Sequence, residues 1–218
     1  MQKKFYILLI VMVTLAGILL FKQINRTRQI TVKQNTTTLI APNPLPISIS
    51  DTELIFGNPG APITIVEFAD LGCKQCLSLH NAIQAIVAQH PQEMRLVWKD
   101  APQPKIFSKD LTLAHQAGWC IGQQDQKKFW QFLSVASQNN VDLDESGLKS
   151  IAAGLTINTD SWWQCTTSDS TKQKIADSVN LASSLGIRSV PAIFINNKLI
   201  NTKADINIQE MLANFIAK

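Results

Sequence analysis

Two cysteines three residues apart, Cys73 and Cys76, stand where an apolar run gives way to a helical pattern, and that junction restricts what the rest of the chain can become. The run before them, Ile63-Thr64-Ile65-Val66-Glu67-Phe68-Ala69, is short, β-branched and almost wholly apolar, which predicts a strand buried on both faces of a sheet. Glu67 is its single charge. After Leu71-Gly72 the period changes: Cys76, Leu79, Ile83, Ile86 and Val87 recur at three- and four-residue steps until His90-Pro91. Cys73 is therefore expected at a helix N-terminus, where unpaired backbone N–H groups and the positive end of the helix dipole favour a thiolate, with Lys74 adding to the same field. The spacing puts Cys76 one turn deeper on nearly the same side, so the two sulfurs can close a disulfide and reopen it. This predicts an exposed nucleophilic thiol and a buried resolving one. A structural disulfide and half of a zinc site are the alternatives. A zinc site calls for a second close pair, whereas Cys120 and Cys165 stand apart from each other and only His80 is near the motif.

On these residues the chain resembles the thioredoxin superfamily and, within it, the DsbA-like thiol:disulfide oxidoreductases. Glu67, six residues before Cys73, falls where the superfamily keeps a buried acid beneath its active-site disulfide. Gly186-Ile187-Arg188-Ser189-Val190-Pro191-Ala192-Ile193-Phe194-Ile195-Asn196 resembles the segment carrying the superfamily's cis-proline, here Pro191 preceded by Val190. The resemblance covers roughly residues 52–218 and implies an α/β thioredoxin fold with an inserted all-helical domain. It also implies catalytic roles for Cys73, Cys76, Glu67 and Pro191, substrate contact at Val190 and Pro191, and no cofactor or metal. The partners it implies are reduced exported proteins and a membrane-embedded, quinone-linked protein that reoxidises the pair. Between the cysteines stand Lys74-Gln75, where the DsbA family typically has proline and histidine, so the direction of catalysis is open between an oxidase and a reductase or isomerase. A chaperone-like or metal-delivering module, whose cysteines hold rather than exchange, is the alternative from another class.

The net charge of +4 comes from the N-terminal fifty residues, which hold six bases and no acid. Residues 51–218 carry 14 bases against 16 acids, which argues against nucleic acid as a partner. Phe5 through Phe21 run for 17 residues without a charge behind Lys3-Lys4, as in a signal peptide or an uncleaved membrane anchor, and the anchor is the expectation. Thr14-Leu15-Ala16 is the one plausible cleavage site. Four bases soon after the span, against two and the amino terminus before it, would by themselves favour a cytoplasmic domain. The even number of cysteines and the resemblance favour an exported, periplasmic or extracytoplasmic one held at the cytoplasmic membrane. Residues 22–50, polar and then rich in Thr and Pro, read as a tether.

The folded part is expected as residues 51–105, then an inserted helical domain at 106–185, then 186–218. Glu53 to Phe56 and Met94 to Lys99 read as strands. Within the insertion, Ser108 is expected to cap a helix through about Ile121 and Asp125 one bearing Phe129, Phe132, Leu133 and Ala136, and a further helix is expected over Asp144 to Ala153, ended by Gly154. A short segment with Trp162, Trp163 and Cys165 follows, then Thr171 to Leu185, stopped by Gly186. A hairpin turning at Asn196-Asn197 and a helix from Ile206 to Ala217 complete the fold. Cys120 and Cys165, each beside tryptophan, are expected to form a second, structural disulfide; two free core cysteines are the alternative, which a reducing compartment would favour.

Overall fold

In the computed structural model the described residues are 46–103, 110–138, 141–201 and 207–216, with Gly17 and Lys22. The chain divides after Asn43, and every element named below lies in the second unit, Pro44–Lys218. The expected anchor at 5–21, apart from Gly17, and most of the tether fall outside the described residues; among those described, no helix is long and apolar enough to cross a membrane.

Five strands form one sheet: β1 Leu54–Gly57, β2 Ile63–Ala69, β3 Met94–Asp100, β4 Ala192–Ile195 and β5 Lys198–Ile200, in the order β1-β3-β2-β4-β5. The central pair, β2 and β3, is parallel, with Glu67 opposite Trp98, and the helix α1, Lys74–Gln89, carries the chain from one to the other. All other pairings are antiparallel. A crossover of this kind buries both faces of the strands it joins, which is why β2 and β3 are nearly continuous apolar runs. Ile63, Ile65 and Ala69 point to a core shared with Cys76, Ile83 and Val87 of α1, whereas Val66 and Phe68 point to a second core with Val97, Phe194 and Ala182. The alternation places Glu67 on the α1 side of the sheet.

Between β3 and β4 the described residues form five helices, α2 Thr112–Gln124, α3 Gln126–Ala136, α4 Glu145–Gly154, α5 Thr159–Thr167 and α6 Asp169–Ser184; α7, Ile208–Ile216, follows β5. Side-chain oxygens cap four of them, as Asp125 accepts from Lys127 N, Asp144 from Gly147 N, Asn158 from Ser161 N and Ser168 from Thr171 N. The helix expected from a Ser108 cap differs. It starts at Thr112 after Leu111, which makes no side-chain cap bond, and continues past Ile121 to Gln124. Its end is set by Asp125, whose extended backbone closes α2 and opens α3 at one residue; Ser108 lies outside the described residues. Gly186 (φ +73°) ends α6 with Ile187 N donating to Ala182 O at 3.0 Å, a six-to-one closure that needs a left-handed residue. At Asn196 (φ 47°) and Asn197 (φ 65°) the β4–β5 hairpin makes the two-residue turn that matches strand twist.

Candidate active site

Cys73 is the N-cap of α1 and is bonded to Cys76, with Cα atoms 5.2 Å apart. Its sulfur accepts the Cys76 backbone N–H at 3.1 Å, so a helix-terminal donor already points at the atom that would carry charge after reduction. Cys73 is partly exposed and Cys76 is fully buried. Only one of the two sulfurs is open to a large partner.

Val190 and Pro191 precede β4 and are joined by a cis peptide bond. With Gln75, which lies between the two cysteines, they line one groove of about 860 Å³ that also takes in Arg188 and Leu199. The structure thereby brings the cysteine motif and the proline segment together across more than a hundred residues of sequence.

Glu67, the single charge of its strand, is fully buried and is met by a group from the following helix: His80 Nδ1 lies 2.9 Å from its Oε2. Burial raises the Glu67 pKa, and the His80 hydrogen bond and charge offset only part of that rise. His80 sits on α1 four residues beyond Cys76, edge-on to Trp98 and parallel to Trp130, with ring centroids 5.4 and 5.9 Å away. Glu67 Oε1 and His80 Nε2 have no hydrogen-bond partner among the described residues. The sequence signal for this pair was the Cys76–His80 spacing, which places both on one helix face.

A second buried group was not anticipated at all. His115 of α2 reaches Asp100 at the end of β3, with Nδ1 2.7 Å from Oδ1, and the turn before Cys73, with Nε2 3.2 Å from Leu71 N. In that turn Asp70 accepts from Gly72 N at 2.8 Å and Gln103 N at 3.1 Å, while its carbonyl accepts from Cys73 N. Burial pushes the Asp70 carboxyl up, but His115 and the two backbone N–H groups outweigh it and bring it down to about 2.

Cys120 of α2 and Cys165 of α5 are bonded to each other, Cα atoms 5.9 Å apart, with Thr171 Oγ1 3.5 and 3.6 Å from the two sulfurs. They are remote in sequence from the first pair and no described contact joins the two. His80 is turned to Glu67 rather than to a cysteine.

A family model described as thioredoxin matches residues 49–214. The chain is 23% identical over 164 residues to a probable disulfide bond formation protein D of Bacillus cereus, covering 71% of this chain and 74% of that protein. It is 25% identical over 148 residues to a Na(+)/H(+) antiporter NhaA 1 of Mycolicibacterium gilvum, covering 65% of this chain but only 23% of the antiporter, so the chain spans about a quarter of that relative. Among solved structures it is similar to the thiol-disulfide exchange protein α-DsbA2 of Wolbachia pipientis, with a TM-score of 0.65 at 20% identity, covering 77% of this chain and 88% of that one. The sheet order, the cysteine pair capping α1 and the family match over most of its length together make the chain a member of the thioredoxin family with the fold of its DsbA-like oxidoreductases.

Proposed function

We propose that the chain is a protein-disulfide oxidoreductase that introduces disulfides into exported proteins by exchange at Cys73 and Cys76. The observation carrying this reading is the capped sulfur: Cys73 is the accessible half of a disulfide, and the Cys76 N–H supports charge on it. A substrate thiolate attacks Cys73 Sγ, the Cys73–Cys76 bond breaks, and Cys76 leaves as a thiolate. Neutral Glu67 gives that thiolate its proton, with Oε2 held by His80 and Oε1 left for the transfer. A second substrate thiolate then attacks the substrate sulfur of the mixed disulfide and releases Cys73. The substrate loses two electrons and the enzyme's pair gains them, so the cycle needs an oxidant, which we assign to a quinone-linked membrane partner. Val190 and Pro191 hold the substrate chain in the groove beside Gln75. In this reading 51–105 and 186–218 are the thioredoxin part, 106–185 the insertion, and the N-terminal segment anchors the domain on the outer side of the cytoplasmic membrane.

The test is a paired assay on the full chain: refolding of a reduced substrate by the oxidised protein, and insulin reduction in the presence of a thiol reductant. Refolding faster than insulin reduction supports the oxidase; the reverse order makes it a reductase, and neither activity would leave a module whose cysteines only hold. The pair's potential decides the same point, because for a two-electron couple about 30 mV is 1.4 kcal/mol of preference for one state.

Glu67→Gln is expected to slow formation of the mixed disulfide, the step in which Cys76 leaves, and to change how stability follows pH. The Glu67 carboxyl is raised in the fold, so the folded protein keeps its proton over a range where the unfolded chain has lost it. Its stabilising effect is present below the ordinary carboxyl range and is lost as pH rises through the folded value. Relative to the parent, the urea midpoint of Glu67→Gln should therefore climb as pH rises above the ordinary carboxyl range. A difference that stays constant with pH would remove the buried-acid role.

A further inference from the structure

His115 belongs to neither cysteine pair, yet it is buried and ties α2 and the end of β3 to the turn that presents Cys73. Because Nε2 accepts the Leu71 N–H, the imidazole in this arrangement is neutral and its proton is on Nδ1, donated to Asp100 Oδ1. Asp100 Oδ1 also accepts the Trp98 Nε1–H at 2.8 Å, so the acceptor is itself fixed. A second arrangement lies within reach. Asp70 Oδ1 stands 3.5 Å from the same Nε2, and an imidazolium, with N–H on both nitrogens, can no longer accept from Leu71 but can donate to Asp70.

Resting on the exchange reading above, we propose that His115 is a positioning residue for Cys73: neutral, it holds the 70–72 turn through Leu71 N–H; protonated, it releases Leu71 and pulls on Asp70 instead. The turn transmits the change directly. Asp70 O accepts the Cys73 N–H at 3.0 Å and Asp70 Oδ1 accepts the Gly72 N–H, so a shift of Asp70 alters the backbone on which the Cys73 sulfur is mounted. Three carboxylates act on the imidazole: Asp100 from β3, Asp70 from the turn, and the exposed Asp110 ahead of α2. Burial pushes the His115 pKa down, but the bonds to Asp100 and Asp70 outweigh it and leave the ring above its ordinary value. The exchange of partners consequently falls at a higher pH than an ordinary histidine would give.

Two amide variants separate positioning from packing. In His115→Gln the longer side chain brings an acceptor to where Nε2 was and keeps the Leu71 bond; in His115→Asn the shorter one reaches only Asp100. Alkylation of Cys73 in the reduced full chain is expected to stay within about threefold of the parent for Gln and to fall by about tenfold for Asn, since one buried hydrogen bond lost corresponds to a change of that order. In NMR titration of the parent protein, the Leu71 amide should move with the same midpoint as the His115 ring. Equal alkylation rates in the two variants, or a Leu71 amide that ignores the His115 titration, overturns the proposal. If His115→Asn does not fold, the titration of the parent still decides. These readouts are independent of substrate, so a parent that fails to exchange disulfides with proteins would sink the functional reading without touching this one.

Discussion

Replacing Cys73 with serine is expected to reduce disulfide exchange to the rate of buffer alone, whereas in Cys76→Ser the lone Cys73 thiolate can still attack a disulfide-bonded substrate, displace one of its sulfurs and remain joined to the other, so that mixed disulfides through Cys73 accumulate. The asymmetry follows from burial and capping. Cys76 is 0% exposed, so a substrate thiolate has no path to its sulfur, while Cys73 is open and its sulfur already receives a helix-terminal N–H. A thiolate, not a thiol, is the attacking and leaving species, and charge at a helix N-terminus is typically favoured by about 0.3–1 kcal/mol, more when partly buried. Without Cys76 the chain has no second free thiol to attack that mixed disulfide and return the substrate. Electrophoresis under non-reducing conditions would show the trapped species, and brief alkylation of the reduced protein should label Cys73 first. Faster labelling of Cys76 would reverse the roles.

Much of this site could be read before the fold was known, and the reason is that its signals are local. The β2-to-α1 junction declares itself by a change of period within a dozen residues, and the cap at Asp125 and the Asn196-Asn197 turn are each decided by neighbours in sequence. What could not be read depends on chain segments meeting. Glu67 looked solitary because its partner is on the following helix, and only the alternation of β2 together with the face of α1 puts His80 against it. His115 had no signal at all, since its importance rests on Asp100 and Leu71 arriving from two sides. The start of α2 was misplaced for the opposite reason: Ser108 is a good cap in isolation, but helix ends are settled by the packing of the whole element, and α2 begins without a side-chain cap. A buried polar contact is therefore where local reading stops, and here two such contacts surround the reactive pair.

The second large effect concerns the other disulfide and leaves the chemistry alone. Cys120→Ala/Cys165→Ala is expected to lower stability by about 4 kcal/mol, because on the chain-entropy model a bond across a loop of this length restricts the unfolded chain by that amount. For a domain of this size the loss corresponds to roughly 8–16 °C in Tm. The bond joins α2 to α5, and α2 also carries His115, so the thermal effect is expected with Cys73 alkylation and exchange rates still close to the parent's at 25 °C, where most molecules remain folded. Two core cysteines that merely pack as small apolar groups would give a different result: alanine would cost only the few atoms removed, and Tm would drop by a couple of degrees. The state of the bond in the cell bears on location as well. Disulfides persist in oxidising compartments and are rare in the cytosol, so mass mapping of protein taken from its native membrane fraction under thiol-blocking conditions should find Cys120 linked to Cys165. Free thiols at both positions in that material, together with a small Tm change, would remove the structural bond and the exported location at once. A linked pair with a large Tm change would place the folded domain on the oxidising side, where its proposed substrates acquire their own disulfides.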